Sequence, residues 1–256
     1  MIGAIAGDVI GSSYEFHPIK SVEFTLFNRF SRFTDDTVCT IALADAILTG
    51  GDYTKILRSY CMEYPDAGYG GRFWQWLNSD AAAPYNSFGN GSAMRVSPVG
   101  FACTTETEVL EQARRSAVIT HNHPEGVKGA QATALAIFLA ARGADKQSIK
   151  TEIASRFNYD LDRKIEDIRP DYQFDETCQG SVAEAILAFL ESNSYENCIR
   201  LAVSLGGDAD TQACIAGGIA QAFYREVPSF IEQETLTRLT PHMRETISAF
   251  RNRYGW

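Results

Sequence analysis

With 256 residues, 45% of them apolar, the chain can bury one sizeable core without needing to divide. A formal net charge of −9 excludes an extended nucleic-acid surface, because such binders present Lys and Arg to the backbone. A small anion stays possible if metal ions offset the acids locally. The six cysteines (39, 61, 103, 178, 198 and 214) form no C-x-x-C pair, which argues against zinc and for a reducing, cytoplasmic setting.

In chain order, "MIGAIAGDVIGSS" comes first. It is apolar but short, lacks a basic flank and carries Asp8, so no signal peptide is expected. "VEFTLF" (22–27) reads as a lone strand or an irregular segment. Helices are predicted over about 35–49, 53–63, 72–79, 107–119, 124–142, 146–157, 180–191, 194–204, 209–224 and 235–253. "ETEVLEQARRSAVI" and "GSVAEAILAFLES" carry the 3.6-residue period of amphipathic helices. "GAQATALAIFLAA" and "QACIAGGIAQAFY" are apolar on most sides, which marks central helices, and their Ala and Gly content predicts close helix approach. Gly-rich loops stand at 68–71 and 89–91. No stretch is long and apolar enough to span a bilayer, and no linker or repeat interrupts the chain. The expectation is one compact all-α domain over residues 1–256, acting as a monomer.

Two acidic segments stand out. "FTDDTVCT" places Thr34, Asp35 and Asp36 before one apolar helix, and "GGDADTQAC" places Asp208, Asp210 and Thr211 before another. Either alone reads as capping, with Thr34 or Asp208 as N-cap and acids complementing the helix dipole. Capping needs only one such group per helix. Clustered carboxylates beside buried helices repel one another unless a cation offsets them. Four carboxylates and two hydroxyls are hard oxygen ligands, suited to Mg²⁺, Mn²⁺ or Ca²⁺, and their split into two segments suggests a dinuclear centre. The spacing fits neither an EF-hand, since the twelfth position from Asp208 is Ile219, nor a D-D-x-x-D motif, since position 39 is Cys39.

Taken together with "GAIAGDVIGSSYE", "FGNGSAMR" and "THNHPEG", these segments resemble the ADP-ribosylglycohydrolase family over nearly the whole chain. The resemblance implies an orthogonal all-α bundle that cleaves the glycosidic bond between ADP-ribose and an acceptor, using two Mg²⁺ or Mn²⁺ ions. It implies Thr34, Asp35, Asp36, Asp208, Asp210 and Thr211 as ligands, with Asp210 bridging and both Asp36 and Asp210 at the reacting centre. Glu15 matches the family's Glu over the metals. Asp66 of "YPDAGYGG" matches a general base in some members and competes with Glu15 for that role. For the ADP-ribose moiety, Gly70, Gly71, Ser87, Gly89, Asn90 and Gly91 are candidate phosphate-loop residues. His121 is a candidate phosphate donor and Phe88 a candidate stacking partner for adenine. Two alternatives share the acidic site: an Mg²⁺-dependent nucleotide phosphohydrolase and a non-catalytic ADP-ribose-binding protein.

Overall fold

The computed structural model describes residues 1–256, which wind through fifteen helices: α1 (Ile2–Gly11), α2 (Asp35–Thr49), α3 (Tyr53–Glu63), α4 (Gly71–Leu77), α5 (Gly91–Met94), α6 (Ser97–Ala102), α7 (Glu106–Val118), α8 (Pro124–Ala141), α9 (Lys146–Phe157), α10 (Ile165–Ile168), α11 (Cys178–Glu191), α12 (Tyr195–Val203), α13 (Ala209–Tyr224), α14 (Ser229–Thr237) and α15 (Pro241–Tyr254). The polar residues that precede the helices act as expected. Thr34, Asp52, Thr105, Asp145, Thr177, Ser194 and Thr240 each accept a hydrogen bond from a first-turn backbone N–H.

One expectation needs correction, one pair of alternatives is decided and one helix was not predicted. The helix predicted over 235–253 is two helices, because Pro241 opens α15 at a position where proline lacks the N–H a continuing helix would need. "VEFTLF" forms no strand. The carbonyls of Val22 and Phe24 accept instead from the Arg200 guanidinium, at 3.0 and 2.8 Å, so an arginine does the work of a strand partner. Segment 2–11 is a helix with all ten residues buried. It has no polar face, so periodicity could not reveal it.

α1 lies on α13 with backbone against backbone. Gly3, Gly7 and Gly11 are four apart and share one face of α1. A Cβ at Gly7 would sit 2.1 Å from the Ala213 carbonyl oxygen, and one at Gly11 2.4 Å from that of Ala209. α13 is buried along almost its whole length, as "QACIAGGIAQAFY" foretold. One hydrophobic cluster of 70 buried residues extends from Met1 to Phe250. Burial of each large aliphatic side chain in it contributes roughly 1.5–3 kcal/mol. All six cysteines are buried thiols. No helix is long and apolar enough to cross a membrane. The N-termini of α2 and α13 open into one cleft, which carries the acids discussed next.

Candidate active site

The first acidic segment is set by a buried acid from another helix. Asp8, fully buried on α1, accepts from the Thr34 N–H (3.0 Å), the Thr34 hydroxyl (2.7 Å), the Thr37 N–H (3.1 Å) and the Thr37 hydroxyl. These bonds hold the first turn of α2, and Thr34 caps it by accepting from the Asp36 N–H at 3.3 Å. Asp35 and Asp36 are thereby turned into the cleft, and both line it.

The second segment is set differently. Asp208 makes no capping bond to α13. Its Oδ2 accepts from the Asn90 amide at 2.8 Å, and Asn90 also donates to the Ser181 hydroxyl at 3.2 Å. Thr211 reaches across the cleft: its hydroxyl donates to Asp36 Oδ2 at 3.3 Å. Glu15, from the loop after α1, brings a carboxylate oxygen within 4.8 Å of those of Asp208 and Asp210.

None of these acids forms an ion pair. Burial, then Asp8 and Asp208, push Asp35 up to about 8. Burial, then Asp208 and Asp8, push Glu15 up to about 7. Asp36 and Asp210 are held well above the usual carboxylate range, again by burial first and neighbouring acids second. Even Asp8, with four donors, is raised to about 6 because burial outweighs them. Such a cluster cannot ionise fully without cations. One atom bears this out: Asp36 Oδ1 is buried and has no hydrogen-bond partner. Once the carboxylate is ionised, an oxygen in that state, among hard oxygen donors, fits a divalent cation.

The cleft has a volume of about 360 Å³. Gly70, Gly71, Ser87, Phe88, Gly89, Asn90, Gly91 and His121 all line it, as do Glu15, Asp208, Asp210 and Thr211. Two expected site residues do not. Asp66 is exposed and lies off the cleft wall, so of the two general-base candidates only Glu15 faces the acids. Thr34 is buried, donates its hydroxyl to Asp8 and is not among the residues that line the cleft. The Gly-rich loop also offers fewer free donors than expected. The Gly89 N–H donates to Ser87 Oγ and the Asn90 N–H to the Glu176 carbonyl, while the Asn90 side chain is spent on Asp208. The Gly91 N–H has no protein acceptor, and Gly91 lines the cleft.

Four residues of the site escaped the sequence reading. Asp8 was legible only as an acid inside an otherwise apolar run. Arg72 and Arg95 line the cleft, Arg95 fully buried within "SAMRVSPVG". Phe174 is 50% exposed and Phe88 43%, so two aromatic rings stand open on the same cleft, and the segment around Phe174 shows no periodicity that would mark it.

A deep acid-lined cleft between the N-termini of two buried helices of an all-α fold defines a hydrolase of the ADP-ribosylglycohydrolase type. The family's sequence profile matches residues 1–253, and the chain belongs to the ADP-ribosylglycohydrolase family. ADP-ribosylhydrolase ARH3 of Mus musculus is 29% identical, over 91% of this chain and 85% of its own length. The Homo sapiens ARH3 is 28% identical over 88% and 84%. ADP-ribosylarginine hydrolase Tri1 of Pseudomonas putida (strain GB-1) is 26% identical over 88% and 69%. A solved structure titled "ADP-ribosylglycohydrolase-related protein complex" superposes with a TM-score of 0.74 at 26% identity, covering 99% of this chain and 97% of its own.

Proposed function

We propose that the protein hydrolyses the glycosidic bond between ADP-ribose and an acceptor, releasing ADP-ribose, with two Mg²⁺ or Mn²⁺ ions held by Asp35, Asp36, Asp208, Asp210 and Thr211. The observation that carries this reading is the buried, partnerless Asp36 Oδ1 among unpaired carboxylates at one end of a cleft whose other walls offer donors and aromatic rings. Divalent ions, when bound, supply charge neutralisation, a hold on vicinal ribose hydroxyls and a more acidic water.

The chain's own residues do the rest. Glu15 takes the proton from the attacking water, because it faces the acid cluster from a separate loop. Positive charge develops on the ribose ring in the transition state. The carboxylate-rich end of the cleft favours that charge. The Gly91 amide and His121, with Gly70, Gly71 and Ser87 nearby, receive the diphosphate. Phe88 and Phe174 take the adenine face. Six buried thiols without a disulfide support a reducing compartment as the protein's setting.

The test is product analysis on serine-linked and arginine-linked ADP-ribosyl peptides. Free ADP-ribose should accumulate with Mg²⁺ or Mn²⁺, stop with a chelator and resume on metal return. Release of AMP or inorganic phosphate would replace this reading with a nucleotide phosphohydrolase. Tight ADP-ribose binding without turnover of any linkage would leave a binding protein.

A further inference from the structure

We propose that Arg95 and Thr120 form a positioning relay that holds His121 with its imidazole hydrogen on Nε2, turned to the cleft as a donor for an anionic group of the ligand. The identity of that group as a phosphate of ADP-ribose rests on the function proposed above.

The relay can be read bond by bond. Arg95 is fully buried on the cleft wall and pairs with no acid. Its Nη2 donates to the Ser116 carbonyl and to the Thr120 hydroxyl oxygen, each at 2.8 Å. A guanidinium has donors only, so Thr120 Oγ1 is the acceptor in that contact and its hydrogen stays free to donate. The one other atom it meets is His121 Nδ1, at 2.7 Å, and with no further acceptor in reach the hydroxyl's hydrogen goes to that nitrogen. An Nδ1 that accepts carries no hydrogen, so a neutral ring has its hydrogen on Nε2. The ring is kept neutral by burial first, and by the guanidinium groups of Arg95 and Arg72 second, which push its pKa well below the usual value.

Position agrees with this polarity. His121 is 5% exposed, yet it lines the cleft, and its Nε2 makes no hydrogen bond within the protein. A Cβ at Gly91 would lie 3.1 Å from that nitrogen, so the ring edge faces the loop at the cleft wall. A Cβ at Gly126 would lie 2.9 Å from His121 Cβ, so the start of α8 packs against the base of this side chain. The result is an N–H without a protein partner, on an otherwise buried side chain that lines the ligand cleft. In the other tautomer Nε2 would face the cleft as a bare acceptor and would repel an anionic oxygen. A relay that imposes Nε2–H selects an acceptor such as a phosphate oxygen.

The experiment uses the full chain with ¹⁵N-labelled histidine and Mg²⁺. In the wild type, Nδ1 of His121 should resonate as a hydrogen-bonded pyridine-type nitrogen and Nε2 as a pyrrole-type nitrogen. In Thr120→Val, which keeps the shape and removes the hydroxyl, Nδ1 should move to the unbonded pyridine-type position. The Kd for free ADP-ribose should then rise roughly five- to ten-fold, the loss of about one hydrogen bond, with unchanged metal content. Thr120→Ser should restore both. A hydrogen on Nδ1 in the wild type overturns the relay without recourse to any variant. So does a Thr120→Val protein with unaltered Nδ1 shift and Kd, or a folded Thr120→Ser protein that restores neither. A wild type that shows the Nε2–H tautomer but binds no ADP-ribose supports the relay and sinks the function proposed above.

Discussion

In the sequence, the segments Thr34-Asp35-Asp36 and Asp208-Ala209-Asp210-Thr211 look interchangeable: two acids, one threonine and an apolar helix to follow. In the folded chain their threonines have exchanged roles. Thr34 faces away from the cleft, capping α2 and bonding to the buried Asp8. Thr211 faces across it and bonds to Asp36. Asp208, read as a cap, caps nothing and is held by Asn90 instead. One segment is fixed from behind by an acid, the other from the side by an amide. A motif of oxygen ligands therefore does not specify its own support. Each copy recruits whatever donor its neighbourhood supplies.

That contrast can be broken at either segment. Asp210→Asn should have the largest effect, since Asp210 lies against Asp208 and Glu15 together. We expect kcat to fall by on the order of 10³-fold, the scale of losing a principal electrostatic group, and metal content to fall with it. Normal metal content in this variant would remove Asp210 from the ligand set. Asp8→Asn should act on the first segment alone, and through folding. The amide oxygen can keep the Oδ2 place, which takes three of the four donors, but its NH₂ would then confront the Thr34 hydroxyl. A loss of about 1–3 kcal/mol in denaturant titrations, with or without metal, is expected from the buried hydroxyl left without its acceptor. A stability unchanged from wild type would mean that α2 does not depend on Asp8.

Smaller changes sharpen the comparison. Asn90→Ala removes the prop of Asp208 and leaves the first segment intact. Metal affinity should weaken by about 10–100-fold, as for other residues that orient a ligand, with little change in the unfolding midpoint of metal-free protein. If ADP-ribose affinity fell while metal affinity held, Asn90 would be a substrate contact after all. Thr34→Val should cost about 1 kcal/mol, the worth of an N-cap, and retain both metal equivalents by elemental analysis. Loss of one equivalent would return Thr34 to the ligand set. Asp66→Asn should change least, with stability within about 0.5 kcal/mol as for other exposed sites and kcat/KM unaltered across pH. A collapse of kcat would show that Asp66 reaches the cleft during turnover.

Much of the molecule was open to reading because its signals are local. The limits of α2, α3, α9 and α13 agree with the predicted ranges, since caps and periodicity lie within a few residues of each end. The acids themselves were legible as two clusters out of place before apolar helices. What failed was support from afar. Asp8 meets its partners 26 and 29 residues later, and Asn90 meets Asp208 after 118. No spacing rule joins such pairs. Arg95 was hidden for a related reason. Its meaning depends on Ser116 and Thr120, which belong to the end of a different helix. Asp66 could not be placed from sequence, because a turn acid near a glycine loop has the same local signature whether or not it lines a cleft.

The glycine face of α1 has a consequence for how this protein can vary. A Cβ at Gly11 would come within 2.5 Å of the Asp210 Cα and 2.4 Å of the Ala209 carbonyl oxygen, so the end of α1 presses on the very turn that presents the second acidic segment. The atoms it would strike are main chain. Shrinking a neighbouring side chain cannot clear them. In a genetic screen, Gly7→Ala or Gly11→Ala should therefore yield no local intragenic suppressors. Any recovered suppressor must let a whole helix slide, and sliding α13 would carry Asp210 with it. Selection for activity thus acts on α1 as strictly as on the acids, although α1 contributes no residue to the wall of the cleft.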